Sequence, residues 1–183
     1  MRTRTSATAS VFVFLALMYT VSWVTHRISG SRAEQAVQGS DTDAVYLGTE
    51  GVVLQDGANT CGPAALKMIL DHHGVSVQLS DLERKGGRGK RGMDMSRLSR
   101  LATSFGLDAQ GWRLGVDDLR ARAMPAILFV EDTHFVVVDS IGDRHDFFVR
   151  DPAKGRMRLS KSMLQKIWKG EALLFCSAHP AMN

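Results

Sequence analysis

Cysteine is scarce in this chain. Two in 183 residues exclude a disulfide-rich framework and leave either one bridge or two free thiols. Aromatic residues make up 7% of the chain, and none interrupts its most basic stretch, "RKGGRGKRG" at residues 84–92. That run therefore lacks the aromatic interleaving of a nucleic-acid surface. Nor does it spell a Walker loop, whose lysine is followed by Ser or Thr. It reads as a mobile, glycine-rich surface loop, and nucleic acid is not an expected partner. Internal repeats and low-complexity tracts are absent as well. The length suits one hydrophobic core and hardly two, and a composition of 44% hydrophobic and 23% charged residues is ordinarily globular.

Long apolar runs are missing with one exception. "VFVFLALMYTVSWV", residues 11–24, carries no charge and follows Arg2 and Arg4. With its neutral flanks it is just long enough to cross a bilayer, yet short enough for the core of a signal peptide. Good small-residue cleavage sites do not follow it, and arginines ahead of it favour a cytoplasmic amino terminus, although Arg27 and Arg32 behind weaken that bias. Residues 1–28 are read as a signal anchor first and a cleaved signal peptide second. Residues 29–44 are polar, without apolar period, and form a tether to a folded domain at 45–183. The expected location is the cell membrane, single-pass, with the domain on the extracytoplasmic side; signal cleavage would instead give a secreted or periplasmic protein.

The folded part changes character midway. "NTCGPAALKMIL", residues 59–70, predicts a helix from near Pro63 to Gly74, because proline is tolerated in a helix mainly in its first turn. "LSDLERK" opens with a capping-box pattern of Ser80 and Glu83. "DMSRLSRLATSFG" puts Met95, Leu98, Leu101, Ala102 and Phe105 on one helical face before Gly106. "DAQGWRL" is a candidate strand and "VDDLRARAM" a short helix. Then "AILFV", "HFVVVDSI", "DFFVRD" and "RMRLS" alternate with the turn-forming "EDT", "GDRH" and "PAKG", the pattern of an antiparallel meander. A last helix, capped by Ser160 or Ser162, precedes a final strand "EALLFCS". Helices first and strands afterwards make an α+β fold, with the N-terminal helices packed on an antiparallel sheet.

Cys61 stands at a helix entrance, where free backbone N–H groups and the positive end of the dipole favour thiolate over thiol. It is a candidate nucleophile, or else a small buried residue. A nucleophile needs a base, an orienting group and an oxyanion site. His134 opens a strand otherwise filled with Val and Phe, and Asp151 closes the next. If those strands pair through "GDRH", the two side chains become neighbours. Gln55, on the segment leading to Cys61, can supply a side-chain amide to an oxyanion beside the Cys61 N–H. Each of these residues also has a plain structural reading. Adjacent His72 and His73 point about 100° apart on a helix and suit a shared metal poorly. Cys176 on the last strand is read as a buried small residue.

Gln55 with "TCGPAALKMIL", followed by "HFVVVDSI", "VRDPAKG" and "IWKG", resembles the bacteriocin-processing, double-glycine leader cysteine peptidases. The likeness runs from about residue 48 to 175. It implies a papain-like fold, Cys61 as nucleophile, His134 as base, Asp151 as orienter and Gln55 as oxyanion donor, with no metal or organic cofactor. It also implies a peptide or protein substrate cut after Gly-Gly-like pairs, linked to an export or surface-assembly system. The best-known members are cytoplasmic domains ahead of an ABC transporter, whereas here an apolar segment precedes the domain. Related domains without the cysteine only hold secretion substrates, and an acyl-transferring relative would share the chemistry; both remain alternatives.

Overall fold

Continuous apolar runs at residues 126–130 and 135–138 give two strands covered on both faces, and the rest of the fold is built on them. The computed structural model describes residues 43–86, 92–144 and 146–177. The apolar segment 11–24, the tether up to residue 42 and most of the basic run lie outside the described residues; the last two tether residues belong to the domain, since Ala44 opens the first strand and Asp43 accepts the Ser160 N–H. Among the described residues no helix is long and apolar enough to cross a membrane.

The chain runs β1 (Ala44–Gly48), α1 (Cys61–His72), α2 (Leu79–Gly86), α3 (Met95–Thr103), β2 (Leu107–Arg113), α4 (Val116–Leu119), β3 (Ala126–Val130), β4 (His134–Ile141), β5 (Phe147–Asp151), β6 (Gly155–Leu159), α5 (Lys161–Ile167) and β7 (Trp168–Ser177). All strands join one antiparallel sheet in the order β1-β6-β5-β4-β3-β7-β2. The expected meander is its middle, β3 to β6. The turn chemistry of "SKSMLQKIWKG" gave no hint that β7 returns past the meander to lie between β3 and β2.

Strand parity sorts the core. Ile127, Phe135, Val137, Leu173 and Phe175 pack with Leu66, Ile69, Leu98 and Leu101 of the long helices. Leu128, Val136, Val138 and Val149 belong to a second cluster with Leu119 of α4 and Leu164 of α5. Each such side chain, removed from water, contributes about 1.5–3 kcal/mol before entropy is charged against it.

Local signals are mostly obeyed. Ser160 caps α5 by accepting the Met163 N–H at 3.1 Å, and Asp94 caps α3 through the Arg97 N–H at 2.7 Å. Ser80 is a correction: α2 opens at Leu79, the Gln78 carbonyl takes the Asp81 and Leu82 N–H groups, and Glu83 is buried. Burial of Leu82 sets that helix's phase more strongly than the capping pattern does. The helix expected over 116–124 is a single turn. Cys176 is exposed and unbridged: it takes the parity opposite Phe175, and near the end of β7, paired with Asp108, it lies past the second cluster that covers Ala172 of the same parity.

Candidate active site

The first turn of α1 prepares the thiol's surroundings. Helices leave their first four N–H groups without intrahelical partners. Here Thr60 does not cap them; its Oγ1 accepts the Gly57 N–H at 3.0 Å instead. Pro63 has no N–H, and the Ala64 N–H makes the first bond, to Thr60 O at 3.1 Å. The Cys61 and Gly62 N–H groups therefore remain at the helix mouth, and no acidic side chain occupies that turn to compete for them. The helix starts at Cys61 rather than near Pro63, so the cysteine belongs to the first turn itself.

The β3–β4 hairpin carries the histidine. Val130 O accepts the Thr133 N–H at 3.2 Å across Glu131 and Asp132, whose φ values of 52° and 57° are left-handed. This tight turn sets His134 as the first residue of β4, paired with Val130. β4 and β5 pair as the sequence suggested, and His134 Nε2 lies 2.7 Å from Asp151 Oδ1. The side chain of Asp151 is only 5% exposed. Its Oδ1 also accepts the Ala153 N–H at 2.8 Å, and the Lys154 ammonium stands 3.9 Å from Oδ2. Gly155 closes this turn at φ +108°, where a Cβ would stand 2.7 Å from Gly48 O. Only glycine fits there.

His134 Nε2 is committed to Asp151, and the Cys61 thiol and the imidazole each shift the other's ionisation. Burial pushes the thiol up; the His134 hydrogen bond, the Phe135 and Gly62 N–H groups and the imidazolium charge bring it below its ordinary value. Burial likewise disfavours charge on His134, but Asp151 and Cys61 together raise it to about 9. Burial also opposes ionisation of Asp151, and its bonds to His134 and the Ala153 N–H hold it below the usual carboxylate range. Both shifts favour the charged thiolate–imidazolium form relative to an isolated cysteine and histidine, a pair able to attack a carbonyl and then protonate a leaving group.

Cys61 and His134 open on a cleft of about 710 Å³ lined by Asn59, Met93, Phe129, Glu131 and Phe135 among others. Phe129 and Phe135 form one wall, their ring centroids 4.9 Å apart. Trp112 lies on β2 with the Arg122 guanidinium over its ring and does not line the cleft. Gln55 reaches this region through its backbone: its N–H donates to Pro152 O at 2.9 Å. Its side-chain Nε2 donates to Gly57 O at 2.8 Å, which occupies one of two amide hydrogens. The structure thus joins His134 to Asp151 directly, puts Cys61 and His134 on one cleft, and ties Gln55 through its backbone to the residue after Asp151, while Gln55 does not line the cleft. The Phe135 N–H is the contributor that sequence reasoning missed; its only signal was its place next to His134. Among the described residues no group of three or more His, Cys, Asp or Glu side chains is gathered as for a metal ion.

A cysteine at a helix N-terminus and a histidine hydrogen-bonded to a buried carboxylate, on one cleft beside an antiparallel sheet, are the arrangement of a papain-like cysteine peptidase. Residues 49–179 match the Peptidase C39 family, and the chain belongs to it. An uncharacterized protein of Methanothermobacter marburgensis is 35% identical over 129 residues, 70% of this chain and 90% of that protein. A probable microcin-H47 secretion/processing ATP-binding protein of Escherichia coli is 34% identical over 122 residues, 67% of this chain but 17% of that protein. Among solved structures, a double glycine motif protease from an AMS/PCAT transporter, in complex with the leader peptide, superposes with a TM-score of 0.65 at 27% identity. It covers 68% of this chain and 89% of that one. The chain is therefore a cysteine peptidase acting on peptide bonds, with the α+β, papain-like fold that the sequence implied.

Proposed function

We propose that this peptidase removes leader segments from exported peptides or proteins by cutting after a pair of small residues, Gly-Gly or Gly-Ala. The observation that carries the reading is that Cys61 shares a cleft walled by Phe129 and Phe135 with His134, which is itself hydrogen-bonded to Asp151. A backbone without side chains passes such a wall, whereas a branched residue meets the rings. The likeness to a double glycine motif protease bound to its leader adds support.

In this reading the Cys61 thiolate attacks the scissile carbonyl. The Cys61 N–H and the remaining amide hydrogen of Gln55 hold the oxyanion. His134 gives its proton to the leaving amine as the C–N bond breaks, leaving a thioester. It then takes a proton from water, whose oxygen attacks the thioester and frees the thiolate. Asp151 keeps the imidazole ring aimed. Residues 11–24 anchor the chain, with the peptidase on the extracytoplasmic side, where it serves a separate export or surface-assembly system; the uncharged run behind Arg2 and Arg4 supports this.

The test is cleavage of a peptide bearing an amphipathic leader and Gly-Gly by the full-length protein. Mass spectrometry should find a new C-terminus at the second glycine, and Cys61→Ala should abolish it. Tight binding without cleavage by the unaltered protein would make it a holding module instead. Reporters active only outside the cytoplasm, fused after residue 43, check the topology; silence there would place the domain inside.

A further inference from the structure

The segment that carries Gln55 has no regular structure between β1 and α1, so something else must hold it. Two hydrogen bonds tie it to β5 and the residue just beyond. The Gln55 N–H donates to Pro152 O, and Arg150 Nη1 donates to Gly51 O at 3.0 Å. Arg150 is itself gripped: its Nε and Nη2 donate to Asp139 Oδ1 at 2.9 and 2.6 Å. The side chains of Arg150 and Asp139 are 15% and 22% exposed, so solvent screens this pair far less than it would a surface pair.

Asp139 owes its aim to an irregularity. Between Val138 and Ser140, β4 advances two residues while β5 advances one, from Val149 to Phe148. Asp139 is the extra residue of a β-bulge, a device that re-aims a side chain next to a site. Arg150 and Asp151 are neighbours on β5, and strand alternation turns them to opposite faces. One strand end therefore presents Asp151 to His134 and, through Arg150, holds the stretch leading to Gln55.

Resting on the oxyanion role given above to Gln55, we infer that Arg150 is a positioning residue for that role. Gripped by the bulge residue Asp139, it fixes the segment at Gly51, and with the Pro152 bond it sets where Gln55 stands relative to Cys61. Lysine cannot replace it, because a single ammonium cannot fork between a carboxylate and a carbonyl as the planar guanidinium does. The clamp acts on stabilisation of the transition state and not on formation of the thiolate, which depends on His134 and backbone N–H groups elsewhere.

The experiment uses the full-length protein with Arg150→Met, and Arg150→Lys and Asp139→Asn in case the first fails to fold. On a Gly-Gly leader peptide, kcat should fall about tenfold to a hundredfold with KM within about twofold, as expected when an oxyanion donor is displaced. The rate and pH dependence of Cys61 alkylation by iodoacetamide should stay as in the unaltered protein. The double variant with Gln55→Ala should be no slower than Gln55→Ala alone. Amide exchange should quicken across 49–56 and stay constant across 134–141. Unchanged exchange at 49–56, an equal fall in alkylation, or additive losses with Gln55→Ala would each overturn the clamp. Failure of the unaltered protein to cleave any peptide would overturn the leader-peptidase reading instead, and exchange and alkylation would still decide whether Arg150 holds the segment without touching the thiolate.

Discussion

His134 Nε2 and Asp151 Oδ1 stand 2.7 Å apart, on side chains 15% and 5% exposed. That one contact links the charge state of the site to pH. Because folding raises His134 to about 9 from 6.5, the stabilisation from its protonated form is complete below about pH 6.5 and lost as pH rises through about 9. Asp151 is lowered from 3.8, so its contribution is present above that value and lost as pH falls through its lower folded pKa.

The same linkage predicts the effect of Asp151→Asn. Without the carboxylate, burial pulls His134 down, so the alkaline limb of kcat/KM should move from near pH 9 to lower pH by about one unit or more. At pH 7, kcat/KM should fall on the order of a hundredfold without vanishing, since an orienting group is helpful but not indispensable. Steady-state kinetics across pH 5–10 checks both; an unmoved alkaline limb would deny Asp151 its hold on the ring.

Thiol reactivity should invert exposure. Cys176 is exposed and Cys61 only 7% exposed, yet His134 and the Phe135 and Gly62 N–H groups favour ionisation of Cys61. Iodoacetamide at about pH 6 should therefore label the protein once, at Cys61, and His134→Ala should remove that labelling. Peptide mapping that finds the label mainly at Cys176 would remove the case for a preformed thiolate.

The groove prediction concerns the residue just before the cut. Replacing its glycine by leucine should lower kcat/KM on the order of a hundredfold, as a loss of transition-state fit. Phe129 lines the cleft and is only partly buried, whereas Phe135 is 2% exposed and serves the core. Phe129→Ala should thus narrow the glycine-to-leucine difference to about tenfold while keeping the fold. Equal cleavage of both peptides by the unaltered protein would leave a general peptidase.

The turn before His134 holds strain. Glu131 adopts φ 52°, a region that costs an L-residue other than glycine roughly 1–2 kcal/mol. Glu131→Gly should stabilise the protein by about 1 kcal/mol, raising Tm by about 2–4 °C in a chain of this size. Asp132, which pairs with Lys169 at the same turn, stays in place. A lowered Tm in a thermal melt would show that the glutamate makes a contact worth more than the strain.

Short-range chemistry made much of this protein legible as sequence. Pro63 placed the helix start to within two residues, the apolar runs in "HFVVVDSI" and "DFFVRD" made two strands, and the turn-forming "GDRH" between them suggested a hairpin. His134 and Asp151 follow as neighbours, because the start of one strand in a hairpin lies beside the end of the other. Ser160, one of the two serines the sequence offered, caps its helix as local hydrogen bonding dictates. The tertiary structure decided what depends on residues far apart in the chain. Packing of α1 against β4 brings Cys61 to His134 and aims the Phe135 N–H at the sulfur. Non-local pairing inserts β7 between β3 and β2, which turns Cys176 outward and leaves Trp112 at the far edge, away from the cleft. The bulge at Asp139 and its grip on Arg150 depend on register between strands, and register is fixed by burial on both faces of the sheet, a property that no single segment carries.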